Sequence, residues 1–190
     1  MPDFRRWFVP GGCYFFTVVV DGRRRLFDDQ RAITLLGDVM RDCFAQWPVT
    51  VNAIVLLPDH LHTIWTMPTG DAAYPQRWGW LKKEFTKQWL ADGGPDRLVS
   101  VARQRERRRG IWQPRYWEHT LEDEHDFERH FDYIHWNPVK HGYVRCPYEW
   151  QHSSFHRYVD RGVYDRRWGC FSTPPPPPFR FDDISDTTGE

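Results

Sequence analysis

Two apolar, strand-like runs, Val51 to Leu57 and His60 to Met67, are separated only by Pro58-Asp59. Runs joined by so short a breaker read as an antiparallel hairpin, and a hairpin at mid-chain limits what the flanking segments can pair with. Before it, residues 13–20 (Cys-Tyr-Phe-Phe-Thr-Val-Val-Val) are aromatic and β-branched and stop at Asp21-Gly22, which predicts a buried strand and its turn. From Asp29 to Trp47 the apolar residues Ile33, Leu36, Val39, Met40 and Phe44 recur at helical spacing, and Pro48 closes the segment. Beyond the hairpin, Arg77 to Leu90 carries Trp78, Leu81, Phe85 and Trp89 on one stripe, ending at Asp92-Gly93-Gly94-Pro95. Arg115 to Leu121 reads as a fourth strand, and Glu122 to about His135 as a third helix with Phe127, Phe131 and Ile134 inward. The order strand, helix, strand, strand, helix, strand, helix predicts an α+β domain of ferredoxin-like type, an antiparallel sheet with helices packed on one face.

A chain of 190 residues with 40% hydrophobic content suits one well-buried core. We expect one domain over residues 1–170. Residues 171–190, with Pro174 to Pro178 and an acidic end, can bury little and are expected to be a proline-rich, disordered tail. The sequence has no apolar run long enough to span a bilayer, and Met1 to Arg6 lacks a signal-peptide stretch, so a cytoplasmic protein without a membrane partner is expected. Cys13, Cys43, Cys146 and Cys170 are widely spaced and should be reduced thiols there. The net charge of +0 argues against a nucleic-acid partner, yet the chain without its last twenty residues holds 25 basic against 22 acidic residues. A mildly basic body permits DNA binding.

Two groups of residues carry chemistry. Strand alternation sends His60 and His62 to one face, with imidazoles about 7 Å apart along the strand. Such a pair can share a metal ion, though taken alone a His-x-His pair is more often two half-exposed histidines than ligands. In Tyr133-Ile-His-Trp-Asn137 the phenol and the amide lie four residues apart, on one helical face. Tyr133 also fits an ordinary core-edge position, and Asn137 before Pro138 fits an N-cap. Together the groups make sense as one site. A phosphodiester is protected by its charge, and a cation on His60, His62 and Asn137 would neutralise it for attack by Tyr133. Attack by a tyrosine conserves the bond energy in a phosphotyrosine, so rejoining becomes possible.

The residues also resemble a known family. Gly11-Gly12 with Phe15-Phe16-Thr17-Val18, Leu57-Pro58-Asp59-His60-Leu61-His62-Thr63-Ile64-Trp65, Trp112-Gln113-Pro114-Arg115-Tyr116-Trp117-Glu118-His119, Asp132-Tyr133-Ile134 with Asn137-Pro138-Val139-Lys140-His141-Gly142, and Ser154-Phe155-His156-Arg157 stand in the order seen in REP-associated tyrosine transposases. These are relatives of the single-tyrosine, single-strand transposases with a His-hydrophobic-His motif. The resemblance implies a ferredoxin-like fold and dependence on Mg²⁺ or Mn²⁺. It implies a substrate of single-stranded DNA folded into the imperfect hairpin of an extragenic palindrome, cut through a 5′-phosphotyrosine. By the same resemblance His60 and His62 are metal ligands, Tyr133 is the nucleophile and Asn137 the third ligand. Monomer and homodimer are both compatible with it.

Phosphate contacts are expected from Arg5, Arg6, Arg23, Arg24 and Arg115, and from Arg103, Arg105, Arg107, Arg108 and Arg109 in the basic connection. Trp117 and Trp136 are candidates for stacking on unpaired bases, and His119 and His141 for proton transfer. Two rival readings are a non-catalytic hairpin-binding protein and a metal-dependent hydrolase using Asp59, a poor candidate in its turn.

Overall fold

The computed structural model describes residues 8–96, Val101, 109–170 and Ile184. Arg5, Arg6, Arg103, Arg105, Arg107 and Arg108 lie outside the described residues, as does the proline-rich stretch except for Ile184, which is buried.

Four strands, β1 (Cys13–Val19), β2 (Thr50–Leu56), β3 (His60–Thr66) and β4 (Trp117–Thr120), form one sheet in the order β2-β3-β1-β4, each pairing antiparallel. With α1 (Gln30–Gln46) after β1 and α2 (Tyr74–Ala91) after β3, this is the β-α-β-β-α-β arrangement expected. β1 lies in the interior of the sheet, so Phe15 and Phe16, pointing to opposite faces, both reach 0% exposure.

On one face Phe16, Val18, Leu61 and Trp65 pack with Leu36 and Val39 of α1 and Trp78 and Leu81 of α2. Trp65 and Trp78 stack with ring centroids 4.3 Å apart, a pairing worth about 0.5–1.5 kcal/mol beyond the burial of their area. Arg77 is also buried here. Its guanidinium meets Asp71 at 2.6 Å and donates to the carbonyls of Trp47 and Pro48, so no buried charge is left uncompensated.

The opposite face departs from expectation. There Phe15, Ala53, Val55 and Ile64 pack against Phe131, Tyr133 and Ile134 of α3 (Glu124–Lys140) and Phe155 of the short α4 (Phe155–Asp160). Helices on one face describes α1 and α2 only. The strands are apolar at odd and even positions alike, leaving two faces to cover.

The third helix also runs past His135 and through Pro138. Pro138 has no N–H to give, but only a short stretch follows it before the helix closes. The Gly142 N–H bonds to the Val139 carbonyl and that of Tyr143 to the Pro138 carbonyl, with Gly142 at φ 70°, a Schellman ending that needs a left-handed residue. Asn137 is therefore inside the helix and caps nothing. A second correction concerns the cysteines. Cys146 and Cys170 form a disulfide across 24 residues, while Cys13 and Cys43 are free. Their pairing depends on how the segments after α3 and α4 meet, which spacing along the chain does not reveal. Among the described residues no helix is long and apolar enough to cross a membrane.

Candidate active site

His60 and His62 leave β3 on the face covered by α3. Both are fully buried, and their ring centroids lie 4.9 Å apart. Each ring is oriented through Nδ1. That of His60 lies 2.6 Å from Asp59 Oδ1, and that of His62 lies 2.9 Å from Thr17 Oγ1, across the β1–β3 ladder where the two residues are register partners. With Nδ1 held in this way, Nε2 is the nitrogen each ring offers to a ligand, as in metal sites whose outer contacts set the tautomer.

Asp59 is in turn held by Arg23, whose Nη1 donates to Oδ2 at 3.3 Å. Arg23 follows Gly22 in the turn after β1, and both stand at positive φ (50° and 65°), a region that L side chains rarely enter. Burial pushes the Asp59 carboxyl up, but the hydrogen bond and charge of His60 and the Arg23 guanidinium outweigh it and hold it below the usual carboxylate value.

The other wall is one stripe of α3. Tyr133, Asn137 and His141 are spaced by four residues and so share a face. Tyr133 meets the His62 ring at 5.5 Å between centroids and His141 meets the His60 ring at 5.4 Å. Asn137, fully buried, lies between them on the same stripe of the helix. One turn on, Lys140 Nζ donates to Tyr133 Oη at 3.0 Å and lies 4.9 Å from the centre of its ring. Phe15 closes the side, 5.4 Å from His62 and 6.1 Å from Tyr133 between centroids. Two imidazole nitrogens and an amide oxygen are a donor set that suits a divalent cation, beside a phenol held by an ammonium group.

The structure thus brings His60, His62, Tyr133 and Asn137 together. Among the described arginines, Arg23 and Arg24 have partners of their own. Arg23 is engaged with Asp59, and Arg24 Nη2 donates to the Gly110 carbonyl at 2.7 Å, so the two tie loops of the protein to each other. Arg115 is exposed, and Arg109 shares an open groove of about 520 Å³ with Lys82, Lys83 and Lys87 of α2. Trp117 and Trp136 are half-buried beside the second core. His141 is at the site, whereas His119 pairs with Asp126.

Sequence reasoning passed over Thr17 and Lys140 and set Asp59 aside as a poor base. The signal for Lys140 was its seven-residue spacing from Tyr133 on one helical face, obscured by Pro138. Thr17 had no signal short of the strand register.

No protein-family model matches the chain. A Haemophilus influenzae protein assigned to the REP-associated tyrosine transposases is 39% identical over 173 residues, covering 89% of this chain and 94% of the relative. The REP-associated tyrosine transposase of Escherichia coli is 38% identical over 172 residues, covering 88% and 91%. A solved REP-associated tyrosine transposase bound to a REP hairpin superposes with a TM-score of 0.74 at 36% identity, over 93% of this chain and 98% of the other. With a relative 39% identical along almost its whole length, the chain belongs to the family of REP-associated tyrosine transposases, enzymes that cleave and rejoin DNA.

Proposed function

We propose that the protein cuts and rejoins single-stranded DNA carrying imperfect palindromic hairpins, with Tyr133 as nucleophile and His60, His62 and Asn137 as ligands of Mg²⁺ or Mn²⁺. The observation that carries this reading is the packing of Tyr133 against His62, with Asn137 one turn further along the same face. A cation held there would withdraw charge from the non-bridging phosphate oxygens. The Tyr133 oxygen attacks phosphorus and loses its proton, the P–O3′ bond breaks, and the departing 3′ oxygen takes up a proton. A 5′-phosphotyrosine and a free 3′-hydroxyl result, and attack by another 3′-hydroxyl reverses the step. Lys140 stabilises negative charge on the phenol oxygen both as it attacks and as it leaves. Asp59 keeps the His60 ring in the tautomer that offers Nε2, and Thr17 fixes the orientation of the His62 ring. Because all four site residues are buried, substrate entry requires displacement of the segments around them.

The exposed Arg115 and the groove of Arg109, Lys82, Lys83 and Lys87 would take phosphates of the bound strand. Residues 1–170 would form the catalytic domain, and the reaction would run in the cytoplasm. One chain supplies every group named, in a monomer or a homodimer.

The test is incubation with end-labelled single-stranded hairpin DNA from palindromic repeats and Mg²⁺, resolved on a denaturing gel. The wild type should give a protein-linked band that disappears in Tyr133→Phe and on chelation. Tight binding without a covalent band in the wild type would replace this reading with recognition alone.

A further inference from the structure

A second group of metal-binding side chains lies on the other side of Phe15. His119 on β4 and Asp126 and His130 in the first turns of α3 bring one ligand atom each to within 4.8 Å of one another. The Asp126 carboxylate is 2.8 Å from Nε2 of His119 and 3.0 Å from Nδ1 of His130, and the two imidazoles stack with centroids 4.8 Å apart. His130 is buried, and the other two are half-buried. The Phe15 ring stands between this cluster and the first site, 4.9 Å from His130 and 5.4 Å from His62. The two groups are therefore separate, and the cleavage chemistry proposed above uses none of these three residues.

We infer that His119, Asp126 and His130 form a second cation site, for a divalent transition-metal ion of the Zn²⁺ class. Two imidazoles and one carboxylate are a ligand set that such ions take with a position left for water. The half-exposure of His119 and Asp126 gives an ion and its water a way in. The N-terminal end of a helix disfavours a cation only weakly, and the Asp126 carboxylate offsets this. The ion would take the place of the proton now shared between His119 and Asp126. It would then join the edge strand β4 to the helix that carries Tyr133, so its effect is to hold that helix against the sheet.

The full-length protein, cleared of metal with a chelator, is titrated with Zn²⁺ and its bound equivalents are counted by native mass spectrometry, with thermal unfolding in parallel. The variants are His119→Ala, Asp126→Asn and, for the first site, His62→Ala. His119→Ala also loses the hydrogen bond to Asp126, so the rise that Zn²⁺ brings is read for each variant against its own metal-free unfolding temperature. One equivalent of Zn²⁺, and the rise in unfolding temperature that it brings, should be lost in both His119→Ala and Asp126→Asn and retained in His62→Ala. Equal Zn²⁺ stoichiometry in the wild type, His119→Ala and Asp126→Asn would overturn the assignment, whatever the first site binds.

Discussion

The two faces of the sheet are built from the same strands and do different work. The face under α1 and α2 is a core of aromatic and aliphatic side chains, with the Arg77 guanidinium buried beside it. The face under α3 buries His60, His62, His130, His135 and Asn137 among its apolar residues. Polar burial is costly unless partners are supplied, and here His60, His62 and His135 have them in Asp59, Thr17 and Ser154. The first face holds the fold together; the second gives up some of that stabilisation to keep reactive groups in fixed positions.

The comparison predicts opposite responses to mutation. Tyr133→Phe should abolish the covalent DNA adduct while costing only about 1 kcal/mol, the worth of one hydrogen bond, in denaturant unfolding; a variant that unfolds would show that the second face is structural as well. Trp65→Ala on the first face should lose roughly 3–5 kcal/mol of stability by the same measurement, and an unchanged midpoint would break the contrast. Asp71→Asn leaves the buried Arg77 guanidinium without its carboxylate and should cost about 3 kcal/mol, again with the site chemistry spared.

Acid should act through the second face. Burial, together with the nearby Arg157 charge and against a hydrogen bond to the Phe131 backbone, lowers the pKa of His135 from 6.5 to about 3. The unfolded chain takes up this proton near 6.5 and the folded protein only near 3, so the unfolded state binds more protons between those values. Stability should fall as pH drops through that window, by up to about 1.4 kcal/mol per unit. Thermal unfolding of His135→Asn should show a shallower acid slope, and identical slopes would assign the acid sensitivity elsewhere. The smallest effect expected is that of Thr17→Val, which frees Nδ1 of His62 and should weaken metal affinity about tenfold in calorimetric titration, with activity restored at higher metal concentration.

Much of this was legible along the chain because it is local. Strand and helix periodicities located the main elements to within a few residues, save for the early ends read for α3 and missed for the Tyr74 start of α2. The misreadings share a cause. Pro138 argued for a helix end that the closure at Gly142 makes unnecessary. Asp59 looked like a turn residue, and that it holds the His60 ring is a matter of side-chain direction. That the guanidinium groups of Arg23 and Arg24 reach Asp59 and the Gly110 carbonyl could likewise be read only from how the loops meet.

By itself the sequence determined the alternation that puts His60 and His62 on one side of a strand and the spacing that puts Tyr133 and Asn137 on one side of a helix, since both follow from the period of a single element. Only the tertiary structure decided that the strand and the helix face each other. It decided too which imidazole nitrogen is presented, that Lys140 reaches Tyr133, and that His119, Asp126 and His130 meet behind Phe15. Each of those depends on contacts between segments far apart along the chain, and the packing of side chains over both faces of the sheet selects them.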